Sequence, residues 1–215
     1  MFPYDYSCKI VLVGECSVGK TALTQRLIYD MYQKKLDPTI GVDYSTKMFK
    51  MNDSKLVKLQ MWDTAGQENF ISLIRTYYKD VGGAIIMYDV CDRHTFNRVH
   101  FWHNELKKNA LEDYPILIVG NKIDGNRVVN WYEAQELAKS LNCLYQEMSV
   151  KTGENTFYGV KNFTEHLYKK RHEITAFKSS AVEEFRLNIR NNREKPRDHI
   201  YDCCVICWKL KYLNI

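Results

Sequence analysis

The sequence predicts an α/β fold in which a mostly parallel β-sheet is covered by helices on both faces. Short apolar runs alternate along the chain with longer segments whose apolar residues recur at helical spacing. Two of the runs, 84–88 and 116–119, are apolar throughout, which is typical of central strands. A glycine-rich segment at 14–21 lies between the first run and the first helical pattern. Because ligands of such sheets bind beyond the carboxyl ends of the strands, site residues are expected just after the apolar runs.

The predicted elements follow in chain order. Residues 9–13 form the first strand, and the helix after it carries Leu23, Leu27 and Ile28. Residues 44–51 and 56–62 flank the turn-forming Asn52-Asp53-Ser54, which predicts a hairpin and one antiparallel sheet edge. Residues 143–148 form the last strand. Three further helices are predicted from residues at core spacing: Phe96, Val99, His103 and Leu106; Ala134, Leu137, Ala138 and Leu141; Phe157, Val160, Phe163 and Leu167. His103 is interpreted as a packed core or boundary residue rather than a ligand.

Composition limits the class of protein. The 215 residues are 45% hydrophobic, which is ample for a buried core. The net charge of +5 is modest and its basic residues are spread out, so no nucleic-acid partner is expected. The start of the chain lacks a secretory signal, and no apolar run is long enough to span a bilayer. Seven cysteines, an odd number, do not suggest a disulfide framework. We therefore expect a soluble protein in a reducing, cytoplasmic compartment; we also expect a monomer, although the composition does not bear on this.

Residues 14–21 match the pattern Gly-x4-Gly-Lys-[Ser/Thr], which binds nucleotide phosphates. Gly14 and Gly19 allow the backbone N–H groups to turn inward, Lys20 reaches the outer phosphates, and Thr21 offers a hydroxyl to Mg²⁺. The following helix directs its positive end at the anion. The predicted phosphate-binding residues are Gly14, Glu15, Cys16, Ser17, Val18, Gly19, Lys20 and Thr21. The alternative is a chance match, and the loop alone does not identify the nucleotide.

A second candidate segment, Asp63-Thr64-Ala65-Gly66-Gln67, ends the hairpin. An aspartate at a strand end can hold Mg²⁺ opposite Thr21, directly or through water. Gly66 permits a close approach of the backbone to a terminal phosphate. Gln67 both donates and accepts, which suits the orientation of a water molecule for in-line attack. The alternative interpretation is an ordinary turn, because Asp and Gly favour turns.

The third candidate segment would read the base. Asn121, Lys122 and Asp124 follow the strand at 116–120. The Asp124 carboxylate can accept hydrogen bonds from N1–H and the 2-amino group of guanine, whereas adenine would leave it unpaired. Ser149, Val150 and Lys151 follow the last strand, where backbone N–H groups can reach the guanine O6. The segment therefore predicts specificity for guanine.

With these motifs in this order, the chain resembles a small GTPase of the Ras superfamily, and the Rab family in particular. Residues 40–44, 58–68, 77–78 and 85–90 are similar to Rab segments, and the resemblance covers about residues 7–170. It implies the P-loop NTPase fold of small GTPases, with a six-stranded, mostly parallel sheet and five surrounding helices. It also implies a GTPase domain at 1–171 and a flexible C-terminal tail at 172–215.

The resemblance also implies residue roles. Thr39 would close on Mg²⁺ and the γ-phosphate, Tyr32 would lie against the guanine face, and Gln67, Lys20 and Thr39 would be catalytic. Residues 36–44 and 70–78 would be switches that exchange factors, GTPase-activating proteins and effectors contact. The effector region would comprise Leu36, Asp37, Pro38, Thr39, Ile40, Gly41, Val42, Asp43 and Tyr44. Trp62, with Phe49 and Tyr77 as neighbours, resembles an effector-binding aromatic cluster; plain hairpin packing is the alternative.

The sequence departs from the Rab pattern in several places. Cys16 and Ser17 stand where many relatives carry small residues or glycine, and Val150 replaces alanine. Asn69 and the segment 79–81, which flank residues 70–78 of the second switch, also differ from the Rab pattern. The tail cysteines Cys203, Cys204 and Cys207 are not terminal, and no C-a-a-X sequence is present. Three interpretations remain open: lipidation that attaches the protein to the cytosolic face of a membrane, a tail without lipid, or metal binding with His199.

The expected function is that of a Rab-like switch that hydrolyses GTP to GDP and phosphate, with Mg²⁺ as cofactor, and regulates vesicle or membrane trafficking. The alternative is a GTP-binding scaffold with little turnover, because Cys16 lies near the γ-phosphate position. A P-loop kinase or ATPase is a more distant alternative that the guanine-reading segment disfavours.

Overall fold

A six-stranded sheet forms the centre of the part of the chain that the structure describes. The computed structural model describes residues 4–34, 37, 39, 41–64, 81–109 and 114–172. The strands are β1 (Tyr6–Val13), β2 (Val42–Lys50), β3 (Leu56–Thr64), β4 (Gly83–Asp89), β5 (Ile116–Asn121) and β6 (Leu144–Glu147). Their spatial order is β2-β3-β1-β4-β5-β6. Only the β2–β3 pair is antiparallel in this described sheet, and the predicted fold class is confirmed.

Five helical segments lie in the described residues. They are α1 (Lys20–Tyr29), α2 (Arg93–Asn97), α3 (Val99–Asn109), α4 (Trp131–Ser140) and α5 (156–172). The sequence predicts one helix from Phe96 to Leu106, but the structure has two that are separated at Arg98. The first is a short turn that the Asp92 side chain caps by accepting from the His94 N–H at 2.9 Å.

The core lies on both faces of the sheet because alternate strand residues point to opposite sides. In β1, Ile10 and Leu12 pack in one cluster with residues of α1 and α5, whereas Val11 and Val13 pack in another with α3 and α4. Every residue of β4 and β5 is buried, as their uninterrupted apolar runs predict. Because β1, β3, β4 and β5 run parallel to one another, their carboxyl ends lie along the same edge of the sheet.

Two residues assigned to the core behave differently from each other. His103 is buried, as expected, and burial is the main cause that lowers the pKa of its imidazole. Phe157 is 44% exposed, so its assignment to the core is wrong. It lies in the first turn of α5, where its ring stands 5.5 Å from that of Phe49 and covers the edge of the sheet.

The β2–β3 hairpin contradicts one predicted contact. Tyr44 pairs with Trp62, and Phe49 pairs with Val57. Because side chains alternate along each strand, Phe49 and Trp62 lie on opposite faces. Phe49 is 1% exposed in the core, whereas the rings of Tyr44 and Trp62 are 5.1 Å apart. Tyr44 is therefore an aromatic neighbour of Trp62 and Phe49 is not, whereas Tyr77, the other predicted neighbour, lies outside the described residues.

In the part of the chain that the structure describes, no helix combines the length and the apolar character needed to cross a bilayer.

Candidate nucleotide-binding site

The segment 14–19 connects β1 to α1, and its two glycines are required by its geometry. Gly14 has φ 139°, and a Cβ there would lie 2.2 Å from the Met87 carbonyl oxygen. Gly19 has φ 107°, and a Cβ there would lie 2.3 Å from Nδ2 of Asn121. Side chains at either position would therefore both clash and strain the backbone. Ser17 also has a positive φ, 61°, where glycine is the more favourable residue.

Lys20 folds back over this loop. Its side chain is buried, and its Nζ donates to the Gly14 carbonyl at 2.9 Å and the Glu15 carbonyl at 2.8 Å. Burial lowers the pKa of Lys20, and the nearby Asp63 carboxylate opposes that shift. Among the described residues its hydrogen-bond acceptors are these two carbonyl oxygens, and an ammonium so placed at the start of a helix gains by exchanging them for phosphate oxygens.

Three oxygen-bearing side chains from α1, β3 and the segment before β2 converge beside the loop. Thr21 Oγ1 donates to Asp63 Oδ2 at 2.5 Å and lies 2.7 Å from Thr39 Oγ1. Asp63 is 1% exposed, and its Oδ1 has no hydrogen-bond partner among the described residues. Burial raises the pKa of Asp63, and the hydrogen bond from the Thr21 hydroxyl opposes the rise. Hard oxygen donors with a buried carboxylate oxygen left over fit Mg²⁺, which prefers such ligands.

Asn121, at the end of β5, joins the phosphate loop to the segment 149–151. Its Nδ2 donates to the Val18 carbonyl at 2.8 Å, and its Oδ1 accepts from the Val150 N–H at 3.0 Å. The side chain is buried and both polar atoms are satisfied. Its structural role is therefore to hold together the loops that follow β1 and β6, two strands that β4 and β5 separate in the sheet.

Asp124 lies at the other end of this site. Its carboxylate accepts from Ser149 Oγ at 2.7 Å and from Lys151 Nζ at 2.9 Å. The hydrogen bond from Ser149 is the largest cause, and that from Lys151 the next, that lowers the pKa of Asp124 below its usual value. Lys122 Nζ forms an ion pair at 2.6 Å with Oδ2 of Asp89, the last residue of β4. Asp124 is thus an ionised acceptor at neutral pH.

One cavity of about 590 Å³ contains both ends of the site, and its volume suits a small-molecule ligand. It joins residues that the sequence separates by more than a hundred positions. Residues that line it include Cys16, Ser17, Gly19, Lys20, Thr21, Tyr32, Asp37, Thr39, Thr64, Asn121, Lys122, Asp124, Val150 and Lys151. Tyr32, which the resemblance places against the guanine face, is 40% exposed and lines the same cavity.

Some predicted site residues are placed differently or lie outside the described residues. The Glu15 carboxylate accepts from Arg98 Nε at 2.9 Å and Trp102 Nε1 at 3.0 Å, so only its backbone faces Lys20. Gly41, Val42, Asp43 and Tyr44 lead into β2 and along it. Outside the described residues lie Leu36, Pro38, Ile40, Ala65, Gly66, Gln67, Tyr77, Cys203, Cys204 and Cys207.

Comparison with known proteins agrees with this geometry. A model of the Ras family matches residues 9–169. The chain belongs to the Ras family. Ras-related protein Rab-11B of Dictyostelium discoideum is 38% identical, with 94% of this chain and 97% of that protein covered. GTP-binding protein ypt1 of Schizosaccharomyces pombe is 36% identical, with coverage of 94% and 98%. Ras-related protein RIC1 of Oryza sativa subsp. japonica is 41% identical, with coverage of 71% and 76%.

These relatives confirm the predicted Rab type of small GTPase, an enzyme class that hydrolyses GTP. In this Ras-family protein, two contacts were not anticipated from the sequence. Arg26 reaches the carbonyls of Val150 and Lys151, and Asp89 pairs with Lys122. A basic residue in the last turn of a helix is favourable anywhere, so the sequence pattern gave no specific signal for Arg26.

Proposed function

We propose that this protein is a guanine-nucleotide switch in which Asp124 reads the base, Lys20 binds the phosphates and Gln67 orients the attacking water. The observation that carries the proposal is the single cavity of about 590 Å³, which joins Lys20 and Thr21 to Asp124. A purine at Asp124 would thereby extend its phosphates towards α1.

Base recognition rests on an ionised acceptor in a fixed position. The Asp124 carboxylate is oriented by Ser149 and Lys151, and its lowered pKa keeps it charged. Guanine supplies two donors, N1–H and the 2-amino group, to such a carboxylate. Adenine has no donor at N1 and would bury the carboxylate unpaired, which is a strong basis for rejection.

Phosphate and metal binding rest on the cluster beside the loop. Thr21, Thr39 and Asp63 would hold Mg²⁺, with Asp63 bound directly or through water, and Lys20 would leave the Gly14 and Glu15 carbonyls for phosphate oxygens. When bound, Mg²⁺ neutralises charge on the β- and γ-phosphates. The backbone of 14–21 supplies N–H groups to the same phosphates.

Hydrolysis would follow from water placed in line with the γ-phosphorus. Gln67 would orient the water, whose oxygen bonds to the γ-phosphorus while the bond from the γ-phosphorus to the β–γ bridging oxygen breaks. The proton of the water passes to the released phosphate, which gives GDP and phosphate. Thr39 would contact the γ-phosphate only while GTP is bound. Loss of that contact would release the segment 36–44, and exchange factors, activating proteins and effectors would distinguish the two states.

The cellular role would be the regulation of vesicle or membrane trafficking by a cytoplasmic protein. In this proposal residues 1–171 form the GTPase domain and 172–215 form a tail. Cys203, Cys204 and Cys207 would carry the lipid that brings the protein to the cytosolic face of a membrane. A single attached lipid would bind the protein to a membrane only marginally, so stable attachment needs a second lipid or a second membrane contact. The alternative of a scaffold with little turnover gains no support from the relatives.

The proposal is tested by the nucleotide that copurifies with the full-length protein and by its turnover. Extraction and chromatography should yield GDP or GTP, and added GTP should be converted to GDP and phosphate at a slow rate that a Rab-activating domain increases. Retention of ATP without guanine nucleotide would contradict base recognition by Asp124. Tight GTP binding without phosphate release, alone or with the activating domain, would favour the scaffold.

A further inference from the structure

Arg26, in the last turn of α1, contacts a loop 124 residues further along the chain. Its Nε donates to the Val150 carbonyl at 3.0 Å, and one terminal nitrogen donates to the Lys151 carbonyl at 2.7 Å. The same helix carries Lys20 and Thr21 in its first turn. One rigid element therefore links the phosphate end of the cavity to the base end.

The guanidinium is committed to these backbone partners. The Arg26 side chain is only 14% exposed, and its remaining terminal nitrogen donates to the Asp30 carbonyl at 3.0 Å. The Asp30 carboxylate, at 3.4 Å, is 95% exposed and contributes little as a charge partner. The planar fork of arginine can bind several carbonyls at once, which a lysine ammonium cannot do with the same geometry.

These contacts fix the orientation of neighbouring N–H groups. In a trans peptide unit the C=O and the next N–H point in opposite directions. The described chain contains no cis peptide. The Val150 carbonyl faces Arg26, so the Lys151 N–H faces away from it. The flanking N–H groups are already used, because Val150 donates to Asn121 Oδ1 and Thr152 donates to Ser149 Oγ.

We propose that Arg26 is a positioning residue for base recognition: it aims the Lys151 N–H at the 6-oxo group of the bound purine and fixes the base-binding loop to α1. This inference rests on the proposed function, since it requires a purine at Asp124. Asn121 holds the same loop through the Val150 N–H, and Arg26 holds it through the two carbonyls that follow. Together the two residues set the distance between the base and phosphate ends of the cavity.

The test compares the release of GDP and of inosine diphosphate from the full-length protein. Inosine diphosphate retains the 6-oxo group and N1–H but lacks the 2-amino group that Asp124 would read. Arg26→Met should release both nucleotides about tenfold faster, with their ratio unchanged, because it weakens a contact that both purines share. Arg26→Lys, which keeps one carbonyl contact, should give an intermediate rate. Asp30→Asn is the matched control and should release GDP at the wild-type rate.

Three results would overturn the inference. They are GDP release within twofold of wild type in Arg26→Met, a lower melting temperature with unchanged release, and a fall in the GDP preference like that caused by Asp124→Asn. If Arg26→Met does not fold, the rate of GDP release from Arg26→Lys is the test, and a rate equal to that of the wild type overturns the inference. The proposed function fails separately. It fails if Asp124→Asn leaves the ratio of GDP to inosine diphosphate unchanged, whatever the Arg26 variants do.

Discussion

The amide of Asn121 donates to the backbone carbonyl of Val18 at 2.8 Å, although 103 residues separate them. The carbonyl of the same amide accepts from the Val150 N–H at 3.0 Å. One buried side chain therefore connects the loop expected to bind phosphates with the loop expected to bind the base. Asn121 therefore fixes the two loops relative to each other, and it can affect nucleotide binding without contacting the nucleotide.

Asn121→Ala should weaken both nucleotide binding and the fold. It leaves the Val18 carbonyl and the Val150 N–H without their partner, at a cost of about 2–4 kcal/mol in the free energy of unfolding. We expect GDP affinity to fall by about a hundredfold. Fluorescence titration of a labelled GDP and urea unfolding of the nucleotide-free protein measure the two effects. Unchanged affinity in a destabilised protein would limit Asn121 to a role in the fold.

Asp124→Asn should change the base that the protein selects. An amide can donate to the 2-oxo group of xanthine but repels the donor groups of guanine, so GDP affinity should fall by about a hundredfold or more while xanthosine diphosphate gains. Competition between the two nucleotides measures the change. Glu136→Gln removes an exposed carboxylate from α4, whose ion pair with Lys139 is worth little, and should leave both affinities unaltered.

Much of this site was predictable because its chemistry is encoded locally. Gly14, Gly19, Lys20 and Asp124 follow strand ends in a fixed pattern, and each has a chemical requirement that few other residues meet. The face of the sheet on which the Phe49 side chain lies was not predictable, because a shift of one residue in the hairpin register moves a side chain to the other face. Arg26 was missed for another reason. Its partners are backbone carbonyls, which leave no mark in the sequence.

Gln67→Leu should slow hydrolysis and leave binding intact. Leucine keeps much of the size of glutamine but can neither donate to nor accept from a water molecule, so phosphate release should fall at least about tenfold. Single-turnover release from preloaded GTP measures the rate, and the dissociation rate of GDP serves as the internal control. Equal rates of phosphate release in the wild type and in Gln67→Leu would show that Gln67 does not take part in hydrolysis.

The preference for GDP over ADP should persist as the pH falls until the Asp124 carboxylate is protonated. Its folded pKa is lowered, mainly by Ser149 and next by Lys151, so the carboxylate remains ionised well below neutral pH. A depressed carboxyl pKa contributes stability above the unfolded value of about 3.9, and that contribution disappears as the pH falls through the lower folded value. Discrimination between GDP and ADP should therefore persist to pH 5. Ser149→Ala should move the acid midpoint upward, and Lys151→Met should move it less. Circular dichroism at each pH checks that the protein remains folded.

Cys16 should react with a thiol reagent before Cys8, and bound nucleotide should protect it. Cys16 is exposed and lines the cavity. Cys8 is 2% exposed in the core, and burial raises the pKa of its thiol to about 11, which leaves almost no reactive thiolate. Maleimide labelling followed by peptide mapping separates the two sites, with Cys16→Ser as the control. Labelling of Cys16 at the same rate with and without GDP would show that the bound phosphates do not cover this part of the loop.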